Sequence, residues 1–167
     1  MTTLDFLKQR VNVFQDFSNE RLQELVDGSR AVGFEANEAI AHQGSEATHF
    51  GVVVSGTVAA SVSANGGGRQ ALGQLKTGDT FGEMALMTGE PVAADLIAES
   101  RSQVLLIPVS LFKSVIVAEP NAVQRISRTI TERLVRVLGD SVIECLLVEF
   151  SCWRPIVTSG DQLPQRN

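Results

Sequence analysis

The residues with the clearest chemical potential lie between Leu75 and Ala94, where Gly78-Asp79 and Phe81-Gly82-Glu83-Met84-Ala85-Leu86 are followed by Gly89, Pro91, Val92 and Ala93. A strand ending at Leu75, a Gly78-Asp79 turn and a Gly82-Glu83 helix start would aim several free backbone N–H groups outward. Such groups lack intrahelical partners and sit at the positive end of the helix dipole, so they suit an anion. The chemistry implied is binding. No serine, cysteine, histidine or carboxylate pair stands at a spacing that couples a nucleophile to a base, and Ser110 and Ser114 read as ordinary helix-start residues. The chain is therefore expected not to be an enzyme.

Metal and redox chemistry are equally unsupported. Cys145 and Cys152 match neither a CxxC pair nor a zinc knuckle and read as reduced thiols. His42 and His49 lack the His-x-His plus Glu spacing of a metal-holding cupin barrel, so no metal or cofactor is expected.

The elements that must position the Gly-Glu turn are mostly strands. Short runs at 31–34, 39–42, 50–54, 57–63, 70–75, 94–98 and 103–107 are separated by Gly44-Ser45, Ser55-Gly56, the Asn65 to Gly68 tip and Thr77-Gly78-Asp79. Strands at this spacing indicate a sandwich or barrel. Helical patterns flank them. Near the start, Leu22, Leu25 and Val26 form an amphipathic helix with Ser18 as N-cap, Glu20 in its first turn and Gly28 at its end.

Near the other end, Pro120 opens a helix to Leu138, with Val123, Ile126, Ile130, Leu134, Val137 and Leu138 on one face. Arg125, Arg128 and Arg136 fall opposite, with Arg133 at the margin, and are expected to form a solvated face. Gly139-Asp140-Ser141 is expected to interrupt the helix. The apolar segment from Val142 to Phe150 must then pack on this domain, on a second copy or on another partner, and the tail from Ser151 reads as irregular. The predicted division is a domain over 1–139, including the helix 120–138, and a segment over 140–167.

The stretch around Gly82 resembles the phosphate-binding cassette of cyclic nucleotide-binding domains, of the catabolite activator and protein kinase A regulatory subunit type. Its pattern is close to FGE-x-AL followed a few residues later by R-x-A, and the supporting positions include Phe14, Ser18, Gly44, Phe50, Ser55-Gly56, Phe112 and Pro120. The resemblance covers roughly Val11 to Leu138. It implies a mainly β fold with flanking helices, the cyclic nucleotide-binding β-roll or double-stranded jelly roll, with N-terminal helices and a long C-terminal helix.

By the same resemblance, Glu83 would bind a ribose hydroxyl, and the N–H groups of Gly82, Met84, Ala85 and Ala93 would face the cyclic phosphate. The long helix would be a lid and a dimer seam. One position departs from the pattern: where the family places its phosphate-binding arginine, this chain has Val92, and Asp95 stands where a threonine commonly ends the run. Valine supplies neither charge nor donor. Arg101 lies a few residues on, and the spacing leaves open whether it points inward. Asp95 has the opposite strand parity from Val92, which points it away from the ligand.

At 167 residues, 44% of them hydrophobic, the chain is long enough to bury one sizeable core. A formal charge of −5 disfavours broad attraction to nucleic acid or anionic lipid. The start carries no basic segment before an apolar run, and no stretch approaches the roughly 20 apolar residues of a membrane span. A cytoplasmic regulatory module is expected, sensing cAMP or cGMP weakly or a retuned ligand such as a nucleoside, and acting on a second copy, an output domain or a partner. The alternative is a ligand-free dimerisation or docking domain with a degenerate pocket. No direct contact with nucleic acid or membrane is expected.

Overall fold

Thr2 opens the fold through reciprocal bonds with Asp5: its hydroxyl oxygen accepts the Asp5 N–H at 3.1 Å, and the Asp5 carboxylate accepts the Thr2 N–H at 3.0 Å. This capping box satisfies two otherwise orphaned N–H groups at the start of α1 (Thr3–Arg10). A 3-10 turn (Asn12–Phe14) leads to α2 (Asn19–Asp27), where Ser18 accepts the Arg21 N–H as N-cap and Gly28 ends the helix, as the sequence predicts. The computed structural model describes residues 1–63 and 66–152, of which 138–152 are described by their backbone.

Eight strands follow among the described residues: β1 (Arg30–Phe34), β2 (Ala39–Ala41), β3 (His49–Ser55), β4 (Val58–Ser63), β5 (Arg69–Leu75), β6 (Thr80–Phe81), β7 (Asp95–Ala98) and β8 (Ser102–Pro108). They form two antiparallel four-stranded sheets, β1-β8-β3-β6 and β2-β7-β4-β5. The expected mainly β architecture is present, with one strand more than the sequence indicates. Two residues are too few to show an alternating pattern. β6 exists because Phe81 and Thr80 pair with Gly51 and Val52. A Cβ at Gly51 would lie 2.0 Å from the Phe81 ring, so the glycine is what admits that ring.

Two apolar clusters hold this arrangement. Leu7, Phe14, Phe17, Leu22 and Leu25 pack with Phe50, Ile107, Phe112 and Ile116, and so fix the helices to the first sheet. Phe14 meets Phe17 and Phe50 edge-on at 5.3 and 6.2 Å, and Phe50 meets Phe112 at 5.3 Å. The second cluster, Val53, Val58, Leu75, Phe81, Leu96 and Val104, joins residues of both sheets.

After β8, α4 (Val109–Leu111) runs into a π-helical turn (Phe112–Ile116), and Pro120 begins α5 (Pro120–Cys152). The expected interruption at Gly139-Asp140-Ser141 is not there, and Ser151 and Cys152 are helical instead of irregular. A lone glycine costs a helix only about 1 kcal/mol relative to alanine, which a long flanking helical pattern absorbs. The rest of the predicted irregular tail, 153–167, and the packing of the side chains of Val142 to Phe150, lie outside the described residues.

The chain divides into two compact units, Met1–Glu132 and Arg133–Asn167. Within the first, Ala122 and Ile126 are fully buried and Ile130 packs against the core. Arg125 corrects the expectation of a solvated arginine face: its guanidinium donates to Asp16 at 2.9 and 3.1 Å, to Asn12 at 2.7 Å and to Gln15 at 3.3 Å. Those partners lie more than a hundred residues away in sequence, where helix periodicity carries no information.

Candidate ligand-binding site

Gly82 turns the chain from β6 into α3 (Glu83–Thr88) with φ of 82°, in the left-handed region, and a Cβ there would lie 2.7 Å from the His49 carbonyl oxygen. Glycine alone meets both conditions without strain. The first intrahelical bond runs from the Leu86 N–H to the Gly82 carbonyl at 3.1 Å, so the N–H groups of Glu83, Met84 and Ala85 precede the helical ladder. The helix start that the sequence places at Gly82-Glu83 is therefore present.

Glu83 is only 3% exposed, Ala85 is buried and Met84 is half-buried. A carboxylic acid placed this deep is tolerated only where its polar atoms are satisfied. The preceding turn is tied to β3: the Asp79 carboxylate accepts the Lys76 N–H at 2.8 Å, the Val53 N–H donates to Asp79 O at 2.9 Å, and the Gly78 N–H donates to Val53 O at 2.8 Å. Gly89, also left-handed, closes α3 by donating to Ala85 O at 2.9 Å.

The far arm of the cassette is organised by a segment that the sequence marks only as a turn. The Gly44 N–H donates to Val92 O at 2.8 Å and the Val92 N–H donates to Ser45 O at 2.9 Å. Val92 is half-buried and Ala93 is exposed. No local signal connects positions 44 and 92, because the contact arises only when β2 and β7 pair.

Two further side chains have defined surroundings: Arg101, whose direction the spacing left open, and Asp95, which strand parity points away from the ligand. Arg101 is 85% exposed and lies 3.5 Å from Glu35, so it stays on the surface and does not enter the roll. Asp95 is paired in register with Ser61, beside Leu96, whose side chain is buried. Its carboxylate is engaged by the Gln43 N–H at 2.7 Å and by the Arg69 guanidinium. Among the described residues no group of histidine, cysteine and acidic side chains is arranged to hold a metal ion, and no helix is long and apolar enough to cross a membrane.

Comparison with known proteins matches residues 31–119 to the family model described as the cyclic nucleotide-binding domain. The cAMP-dependent protein kinase regulatory subunit of Blastocladiella emersonii is 24% identical over 122 residues, which are 73% of this chain and 30% of that protein. The regulatory domain of Toxoplasma gondii protein kinase A, solved with cAMP, superposes with a TM-score of 0.70 at 26% identity, covering 77% of this chain and 48% of that one. A regulatory subunit of a cAMP-independent protein kinase A from Trypanosoma cruzi, solved bound to guanosine, has a TM-score of 0.63 at 20% identity, with coverages of 77% and 49%. The chain thus spans half or less of the length of these relatives. With two antiparallel sheets, a glycine-gated α3 start and a family match over most of the roll, this chain belongs to the cyclic nucleotide-binding domain family.

Proposed function

We propose that the chain is a ligand-sensing regulatory module and not an enzyme, whose pocket favours an uncharged nucleoside over a cyclic nucleotide. The observation that carries this reading is the pairing of a left-handed Gly82 and a helix start with a buried Glu83 and a valine at position 92. In the family pattern Glu83 would accept a ribose hydroxyl, while the helix-start N–H groups would face a phosphate whose charge partner is an arginine at position 92. Val92 offers no donor, and Arg101 is committed to the surface. The guanosine-bound relative from Trypanosoma cruzi supports a nucleoside in this fold.

Losing a charge-assisted two-pronged contact in a buried site costs on the order of 2 to 4 kcal/mol. That corresponds to roughly a thirtyfold to thousandfold loss of affinity for a cyclic phosphate. The output would be a partner protein or a further domain, as in relatives that are kinase regulatory subunits.

Calorimetric titration of the natural chain and of Val92→Arg with adenosine, guanosine, cAMP and cGMP tests the reading. The natural chain is expected to bind a nucleoside saturably and more tightly than either cyclic nucleotide, and Val92→Arg to gain cyclic-nucleotide affinity by the factor above. Absence of saturable binding to any of the four by the natural chain overturns it, as does a natural chain that prefers cAMP.

A further inference from the structure

We propose that Asp95 is the positioning residue of the cassette's far arm: with Arg69 it forms a latch that fixes the β2–β3 turn and, through that turn, the backbone of Val92 and Ala93. The inference rests on the reading of Gly82 to Ala93 as the ligand cradle.

Asp95 begins β7, directly opposite Ser61 of β4. Leu96 and Ala98 are buried, so alternation places Asp95 and Ile97 on the other face of the strand. On that face the carboxylate gathers groups from the rest of the sheet. One oxygen accepts the Gln43 N–H at 2.7 Å, just past the end of β2. The other accepts the Arg69 guanidinium, whose same nitrogen donates to the Ser61 hydroxyl at 3.2 Å.

Arg69 belongs to β5, which is separated from β7 by β4 in the order β2-β7-β4-β5. Its side chain therefore crosses a strand to reach Asp95. Gln43 adds a further tie, accepting the Ser63 N–H of β4 at 3.0 Å through its side-chain oxygen. The carboxylate thus links β7 directly to β5 and to the turn after β2, and through Arg69 and Gln43 to β4, at the end of β7 from which the cassette arm arrives. Its side chain is 16% exposed, so the pair with Arg69 is partly shielded from solvent.

The turn that Asp95 holds is the one that grips Val92. Gln43 is bound to Asp95, while the next two residues, Gly44 and Ser45, exchange backbone bonds with Val92. Ala93 lies between two tethered positions, Val92 and Asp95, so the direction of its N–H is set by the latch. With no arginine at position 92, backbone orientation is what this arm has left to contribute to a ligand. Removing the carboxylate releases the Gln43 N–H and the Arg69 guanidinium together.

The test combines amide hydrogen exchange with adenosine titration of the full chain carrying Asp95→Ala or Asp95→Asn, with Glu35→Gln as a surface ion-pair control. Folding of each variant is checked by circular dichroism. In unliganded Asp95→Ala, exchange at Gly44 and Val92 is expected to speed up by roughly tenfold, while Val52 in the other sheet is unchanged. Adenosine affinity is expected to fall roughly three- to tenfold. Asp95→Asn keeps an oxygen for Gln43 but no charge for Arg69, and is expected to fall between Asp95→Ala and the natural chain. Glu35→Gln is expected to change neither readout.

Unchanged exchange at Gly44 and Val92 in Asp95→Ala overturns the latch. Faster exchange with unchanged adenosine affinity overturns the positioning role. Guanosine replaces adenosine in the titration if it is the nucleoside the natural chain binds. A natural chain that binds neither overturns the pocket reading and the positioning role with it, while the exchange data still decide whether the latch exists.

Discussion

Gly82 shows how much one residue of the cassette carries. Its φ of 82° and the His49 carbonyl 2.7 Å from a would-be Cβ reject any side chain for two separate reasons. A non-glycine residue in the left-handed region costs about 1 to 2 kcal/mol, and the backbone contact adds to that. Gly82→Ala is therefore expected to destabilise the protein by at least ~2 kcal/mol in urea unfolding. Gly33→Ala is the matched control, since nothing lies within 4 Å of its would-be Cβ, and it should stay within about 0.5 kcal/mol. Equal effects of the two substitutions would show that the cassette turn relaxes freely. The Gly82-Glu83 turn was legible in the sequence because glycine before an acidic residue is a local signal. The grip of Gly44 and Ser45 on Val92 was not, because no local rule links residues so far apart.

At the scale of elements, the two N-terminal helices begin on carboxylates whose ionised forms are held by their caps. The backbone N–H of Thr2, then its hydroxyl, hold the Asp5 carboxyl below its ordinary 3.8, and the backbone N–H of Glu20 itself, then the Ser18 hydroxyl, hold Glu20 below 4.5. A lowered folded-state pKa contributes stability above the unfolded value and loses it as pH falls through the folded value. The contribution is thus complete above pH 4.5 and is lost progressively as pH falls below 4.5 for Glu20 and below 3.8 for Asp5. NMR titration is expected to give lower midpoints for both carboxyls in the native chain than in Thr2→Ala for Asp5 and Ser18→Ala for Glu20. Unmoved midpoints in those variants would remove the caps as the cause. The start of α2 was readable from Ser18 and Glu20, and its end from Gly28. The π-helical turn at Phe112–Ile116 was not readable, since burying Phe112, Val115 and Ile116 against residues from distant segments overrides local helix geometry.

For the whole molecule, α5 raises the question of association. It continues past the first compact unit, and Leu134 and Val135, 45% and 44% exposed, are among its large apolar side chains. A second copy packing along this helix would cover them. Sedimentation equilibrium is expected to show concentration-dependent dimerisation of the full chain, lost in Leu134→Glu but kept in Met87→Glu, which alters an exposed apolar residue of α3. A chain that is monomeric at every concentration, or a dimer indifferent to Leu134→Glu, would remove α5 as the seam. A dimer whose strength ignores nucleosides and cyclic nucleotides alike would favour the docking-domain alternative over the sensor.

The strand-rich body, the caps of α2, the Gly82-Glu83 helix start and the valine at position 92 can all be read from the chain without its fold. Each is written in residue types or short periods that act over a few neighbours. The tertiary structure decided what joins across the sheets and along the chain. It places Arg125 on Asn12, Gln15 and Asp16, Arg101 on the surface beside Glu35, and Asp95 among Gln43, Ser61 and Arg69. These outcomes depend on helix packing as well as on strand order and register, which bring together residues 26 to 113 positions apart, and no local pattern encodes such pairs.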